Sequence, residues 1–294
     1  MASDQLHRFL FSEKNIRGEF VRLNDSLQQI LSAQPYPEEL QSLLGELLAA
    51  TCLLTATLKF EGEISLQLQS EGVVKYAVIN GNHRQEFRGV ARWDGDLSGL
   101  SLSEMLPKGV LLITIKPDKG EQYQGVVALD KETLGACLES YFAQSEQLPT
   151  QVQLLTGETG AGVVATGLFL QVLPESAESS MSAENEALSH LWQLAKTLTK
   201  DEAFTLAPQD ILFRLFHEEH VELFEPVAVQ FKCTCSKEKS AVALRSVAKE
   251  ELLEIITQRG KIAMNCQYCH ALYEYDAIDV ETLHSNVDMP SSMQ

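Results

Sequence analysis

Four of the six cysteines are grouped by spacing. Cys233-Thr234-Cys235 is followed, 30 residues on, by Cys266-Gln267-Tyr268-Cys269. A short cysteine pair on a tight turn offers two thiolates at once, and a second pair closes a tetrahedral shell, the geometry zinc takes with sulfur. The spacing predicts one zinc ion held by Cys233, Cys235, Cys266 and Cys269. The first pair is C-x-C, where an ordinary zinc ribbon has C-x-x-C. A disulfide across one residue closes a small, strained ring, and strained disulfides are the labile, more oxidising ones. The cluster therefore suits a reversible redox switch as well as a static staple, and the spacing leaves both open. About 68 residues surround it, few for an independent core. Structural zinc contributes on the order of 10–16 kcal/mol at pH 7, so loss of the metal is expected to unfold this region. Oxidants would expel it by converting the thiolates.

Other residues able to do chemistry carry weaker patterns. Cys52 and Cys137 sit in apolar helical runs and read as core. His217-Glu218-Glu219-His220 is one residue short of a metalloprotease helix and has no evident third ligand, so it reads as a solvated helix end. His270 adjoins Cys269, but four cysteines already complete the shell. The glycine-rich stretch 157–162 lacks the Gly-Lys-Ser/Thr of a nucleotide loop and reads as a hairpin. No Gly-x-Ser-x-Gly stretch and no nucleophile with an identifiable base is present. The reading is of a non-enzyme with no nucleotide.

Charge narrows the field further. The 294 residues carry 41 acidic and 23 basic side chains, net −18. Nucleic acid as the main partner is disfavoured, because such binding rests on Lys/Arg neutralising phosphates, and anionic membrane is disfavoured on the same ground. No run approaches the roughly 18 apolar residues of a membrane span, and residues 1–10 lack the apolar stretch of a secretory signal. A cytoplasmic location follows as the expectation, where clustered cysteines point to metal or redox chemistry.

The elements that must position the cysteines read as three regions. Residues 1–174 give an α+β pattern. A helix is expected over 35–60, with Leu40, Leu43, Leu44, Leu47, Leu48, Leu54 and Leu58 at helical spacing. Strands at 64–68 and 74–78 flank a Ser70-Glu71-Gly72 turn, and Asn80-Gly81-Asn82 marks a second turn. A strand pair at 110–115 and 122–128, a helix at 133–142 and strands at 151–155 and 163–173 complete a mainly antiparallel core. Residues 175–226 hold 11 acidic and 3 basic side chains. They open on a polar linker at 174–184 and continue in two short amphipathic helices. Leu188, Leu191, Trp192, Ala195 and Leu198 line the first, and Ile211, Leu212, Leu215 and Phe216 the second, after Pro208. Short helices of this kind need a partner surface. Residues 227–294 read as a strand into Cys233, one helix over 237–258 stopped by Gly260, strands around the second cysteine pair, and a disordered tail from 285.

Beyond the cysteines, the stretches 4–8 (DQLHR), 53–60 (LLTATLKF), 77–82 (AVINGN), 88–92 (RGVAR), 123–127 (YQGVV), 145–150 (SEQLPT) and 231–236 (FKCTCS) closely resemble the thirty-three-kilodalton heat-shock protein family, redox-regulated holdase chaperones of the bacterial cytoplasm. His270 departs from the small or amide residue usual there. The resemblance implies a chaperone core at 1–174, an acidic helical linker at 175–226 folded over it, and a zinc-binding redox domain at 227–294. It implies an inactive reduced form with zinc on the four cysteines, and an oxidised form with disulfides Cys233–Cys235 and Cys266–Cys269. Zinc then leaves, the linker unfolds, and the protein dimerises and holds unfolding clients without ATP. Leu188, Leu191, Trp192, Leu198, Ile211, Leu212, Leu215 and Phe216 are the expected client-contacting residues. Two other readings compete. A constitutive zinc-ribbon binding module would work in its reduced form. A thiol–disulfide oxidoreductase would need one exposed, low-pKa cysteine, and the C-x-C pair and the lack of a thioredoxin-like βαβ context argue against it.

Overall fold

The computed structural model describes residues 4–58, 61–173 and 181–285, with the backbone alone at 181–182. Residues 174–180 of the linker expected at 174–184, the end of the 53–60 stretch and the tail beyond 285 lie outside the described residues; 181–184 are not linker but the start of a helix. In chain order the elements are β1 (Gln5–Phe11), β2 (Ile16–Leu23), α1 (Asp25–Leu31), α2 (Glu38–Thr57), β3 (Gly62–Gln69), β4 (Val74–Asn82), β5 (Glu86–Trp93), α3 (Leu102–Met105), β6 (Val110–Pro117), β7 (Tyr123–Ala128), α4 (Leu134–Tyr141), β8 (Thr150–Thr159), β9 (Gly162–Val172), α5 (Met181–Ala195), α6 (Lys200–Thr205), α7 (Pro208–Phe216), β10 (Val221–Leu223), β11 (Val227–Ala228), β12 (Gln230–Phe231), α8 (Lys237–Leu244), α9 (Lys249–Arg259), β13 (Ile262–Asn265), β14 (Leu272–Tyr275) and α10 (Ala277–Ser285). They divide into two compact units, Met1–Lys232 and Cys233–Gln294.

The first unit has two six-stranded sheets. One runs β10-β1-β2-β9-β8 with β11 also on β1, and the other runs β12-β5-β4-β3-β6-β7. Every described pairing is antiparallel except the short β12–β5 pair. The α+β reading is correct. Helix α2 packs against strands of both sheets, because its apolar residues run nearly round the axis: Leu40, Leu43, Leu44, Leu47, Leu48 and Leu53 are all buried. Its 20 residues are long and apolar enough to cross a membrane, which a count of consecutive apolar residues does not reveal. Most of it is buried inside the protein, as in a core helix.

The first sheet is buried on both faces. Leu6, Val21, Ala165 and Phe169 face the core around α2. Phe9, Phe11, Ile16, Phe20, Leu168, Leu170 and Val172 face the other way, onto α5, α6 and α7. Gly18 lies opposite Phe9, and a Cβ there would fall 2.1 Å from the Phe9 ring, so only glycine lets the ring lie flat on the strand. Double burial removes the alternation that marks a half-exposed strand, which is why β1 and β2 were not legible.

Three further expectations are corrected. Asn80-Gly81-Asn82 is the end of β4, and the turn follows at residues 83–85, with Gln85 in the left-handed region at φ 57°. Between linker and cysteines there are three helices, not two; α6 was unseen because its six residues are too short for a period. The single helix over 237–258 is two, α8 and α9, broken at 245–248 with no glycine or proline to mark it. The break lets Leu244 and Leu252 both reach Tyr275 and Val280 in the small core of the second unit. The last helix, α10, was not anticipated.

Candidate metal centre

The second unit brings the four cysteines to one point. Cys233 and Cys235 lie on the irregular segment between β12 and α8. Ser236 caps α8 by accepting from Lys239 N, and Lys239 Nζ donates to Thr234 O at 2.8 Å, which fixes the C-x-C turn. Cys266 and Cys269 occupy the turn joining β13 to β14. There Cys266 N donates to Ala271 O at 3.0 Å and His270 N to Cys266 O at 2.9 Å. His270 closes this turn in the left-handed region at φ 57°, which histidine tolerates better than most residues.

All four Sγ atoms lie within 4.8 Å of one another. Cys233 and Cys266 are 3.7 Å apart, and Cys235 and Cys269 are 3.4 Å apart. A tetrahedron of Zn–S bonds near 2.3 Å has edges of about 3.8 Å, so the donor set fits one zinc ion. Among the described residues this is the one His/Cys/Asp/Glu cluster with such geometry; His270 is not part of it. His217 only ends α7, and His220 pairs with Glu13 at 2.9 Å on the surface.

Ionising one thiol here opposes ionising the next. Burial pushes Cys233 up, and burial with the neighbouring sulfurs pushes Cys269 up to about 12. Burial opposes ionisation of Cys235 as well, but hydrogen bonds from Tyr273 and the other thiols outweigh it and bring Cys235 to about 7. The Tyr273 hydroxyl donates to Cys235 Sγ at 3.0 Å, an outer contact that orients a ligand. A divalent cation held by Cys233, Cys235, Cys266 and Cys269 would supply the missing charge and let all four ionise. Cys52 and Cys137 are buried, and burial raises both thiols.

The eight apolar linker residues share a different place. Leu188, Leu191 and Trp192 on α5, Leu198 beyond it, and Ile211, Leu212, Leu215 and Phe216 on α7 are all buried against the outer face of the first sheet. Phe216 meets the Phe11 ring edge-on at 5.0 Å. Polar tethers fasten the cover: Arg22 Nε donates to Ala203 O at 2.9 Å and its Nη2 to Leu206 O, Lys200 Nζ to Thr156 O at 2.9 Å, and Asn15 Nδ2 to Glu184 Oε1 at 3.0 Å. Sequence reasoning missed the sheet face beneath. Its signal was Phe9, Phe11 and Phe20 in two neighbouring strands.

Together these features define an α+β protein with a small four-thiol metal-binding unit. The family model described as Hsp33 protein matches residues 4–276. The 33 kDa chaperonin of Pseudoalteromonas atlantica is 54% identical over 287 residues, covering 97% of this chain and 96% of its own. That of Shewanella sediminis is 52% identical over 295 residues and covers both chains fully. The solved 33 kDa chaperonin of Thermotoga maritima, 23% identical, has the same fold, with a TM-score of 0.80 over 97% of this chain and 99% of its own. The chain belongs to the Hsp33 family of chaperones.

Proposed function

We propose that this chain is a redox-regulated, ATP-independent holdase of the bacterial cytoplasm. The convergence of Cys233, Cys235, Cys266 and Cys269 within 4.8 Å carries the reading. When bound, zinc keeps the four sulfurs as thiolates and staples the loops that hold them. The chain's own residues do the rest. Two thiolates give up two electrons to one peroxide, a sulfur–sulfur bond forms as the O–O bond breaks, and the peroxide takes up two protons from solvent and leaves as two waters. Two such steps consume all four ligands. The disulfides are Cys233–Cys235 and Cys266–Cys269, as the family resemblance implies. Sulfurs of different pairs also lie close, Cys233 to Cys266 at 3.7 Å and Cys235 to Cys269 at 3.4 Å, so the resting cluster does not by itself select the pairing. Peptide mapping of the oxidised protein tests it.

Without its ligands the redox domain at 227–294 unfolds from Cys233 outward, its sheet-paired first residues 227–232 last, and the acidic linker at 175–226 follows. Leu188, Leu191, Trp192, Leu198, Ile211, Leu212, Leu215 and Phe216 then become free for unfolding clients, together with Phe9, Phe11, Phe20, Leu168, Leu170 and Val172 of the uncovered sheet. The linker's excess of acidic side chains keeps the opened form soluble. The opened form dimerises, and reduction restores the resting state. No nucleic acid, membrane or nucleotide enters the cycle. Light scattering by an aggregating client, with the protein reduced and zinc-loaded or oxidised by peroxide, tests the reading. Suppression only after oxidation supports it. Equal suppression in both forms would return the site to a structural staple, and turnover of insulin disulfides would favour an oxidoreductase.

A further inference from the structure

The six residues before Cys233 join the two sheets of the first unit. β11 pairs with β1 in one sheet, and β12 pairs with β5 in the other. Between them Val229 N donates to Asp4 O at 2.9 Å, and the Val229 side chain is buried in the core around α2. Gln230 N donates to Gln85 O at 3.0 Å and Lys232 N to Phe87 O at 2.8 Å. Lys232 Nζ then reaches Glu86 Oε1 at 2.6 Å, while Asn82 Nδ2 donates to Glu86 Oε2 at 2.8 Å. Glu86 is nearly buried, and Lys232 is half-exposed. A carboxylate in that setting is compensated by these two donors, and removing the lysine strands it. The strap is thus anchored in both sheets, and its last residue adjoins the first sulfur ligand.

We infer that the strap 227–232, closed by the Glu86–Lys232 ion pair, is a latch that stops unfolding of the cysteine unit from reaching the helical cover. This rests on the redox reading above and adds a threshold to it. The chain order fixes the sequence of loss. Unravelling that starts at Cys233 meets the ion pair and the two-residue β12 first, then the buried Val229, then β11 and β10, and only then α7. A two-residue parallel pairing is weak alone, so the charge-assisted contact carries much of the resistance.

Full-length wild type, Glu86→Gln, Lys232→Met and the swap Glu86→Lys with Lys232→Glu are loaded with zinc and oxidised by peroxide at ambient temperature. Zinc release and hydrogen exchange over residues 181–216 are followed together. All four proteins are expected to release zinc alike. The two single variants should lose protection over 181–216 about tenfold faster than wild type, and the swap should recover most of the difference. A passive structural role would not give that recovery. Equal exchange in wild type and single variants after equal zinc release overturns the latch while leaving the redox reading intact. If 181–216 stays protected in every variant after zinc loss, even on heating, the redox reading itself fails and the latch with it.

Discussion

Cys233 and Cys269 are thiols that burial keeps protonated, so metal binding must expel protons from them. Zinc affinity should fall as the solution is made more acidic, and competition with a chromogenic chelator at several pH values measures this. Cys266→Ser should lose most bound zinc and unfold the second unit, seen as lost chemical-shift dispersion for residues 233–285. Tyr273→Phe keeps the four ligands but removes the donor to Cys235 Sγ; a loss of about 10-fold in zinc affinity is expected. Away from the site, Glu19 is buried without a hydrogen-bond partner at Oε2, and burial raises it to about 8 against the pull of Arg17 and Arg8. The folded state holds this proton more tightly than the unfolded chain. The stability is full below the ordinary glutamate range and is lost as pH rises towards 8. Glu19→Gln should therefore raise Tm by about 2–4 °C at pH 8 and much less at pH 5, by calorimetry. The four cysteines were legible because ligand identity lies in residue type and spacing. The Tyr273–Cys235 contact was not, since 38 residues separate its partners.

At the scale of elements, α5, α6 and α7 are held by an apolar face on one side and a few tethers at their ends. Leu191→Asp or Leu212→Asp puts a charge where nothing can pair with it, a change of about 3–5 kcal/mol. Either should lift the cover and give client binding in the reduced, zinc-loaded protein. Phe213→Asp is the control, because Phe213 is 74% exposed on the same helix as Leu212. Unchanged suppression by the buried-site variants would show that opening this cover is not what creates the binding surface. The apolar faces of α5 and α7 could be read from their 3.6-residue period. Their partner could not, because β1 and β2 are covered on both faces and lose the two-residue period. The break between α8 and α9 was hidden for a related reason. Ser246 could cap a helix by type, but the N-cap of α9 falls on Ala248, which carries no cap signal, and the packing of Leu244 and Leu252 in the core with Tyr275 decides the break.

Over the whole molecule, the second unit has a small core, Ala241, Leu244, Leu252, Tyr275 and Val280, and the proposed function makes it depend on a bound metal, whereas the first unit holds two sheets around α2. A strong chelator under reducing conditions should abolish protection in 233–285 first, while β3, β4 and β6 remain protected in hydrogen exchange. The central claim couples two quantities in one sample: zinc released from the four cysteines and aggregation of an unfolding client suppressed. Both are to be followed as peroxide is titrated in and then as dithiol and zinc are returned. The account predicts that suppression is absent in the reduced zinc-loaded protein, rises with zinc release and falls again on reduction. Full suppression with zinc still bound and the cysteines reduced, or complete zinc release with no suppression, would contradict it.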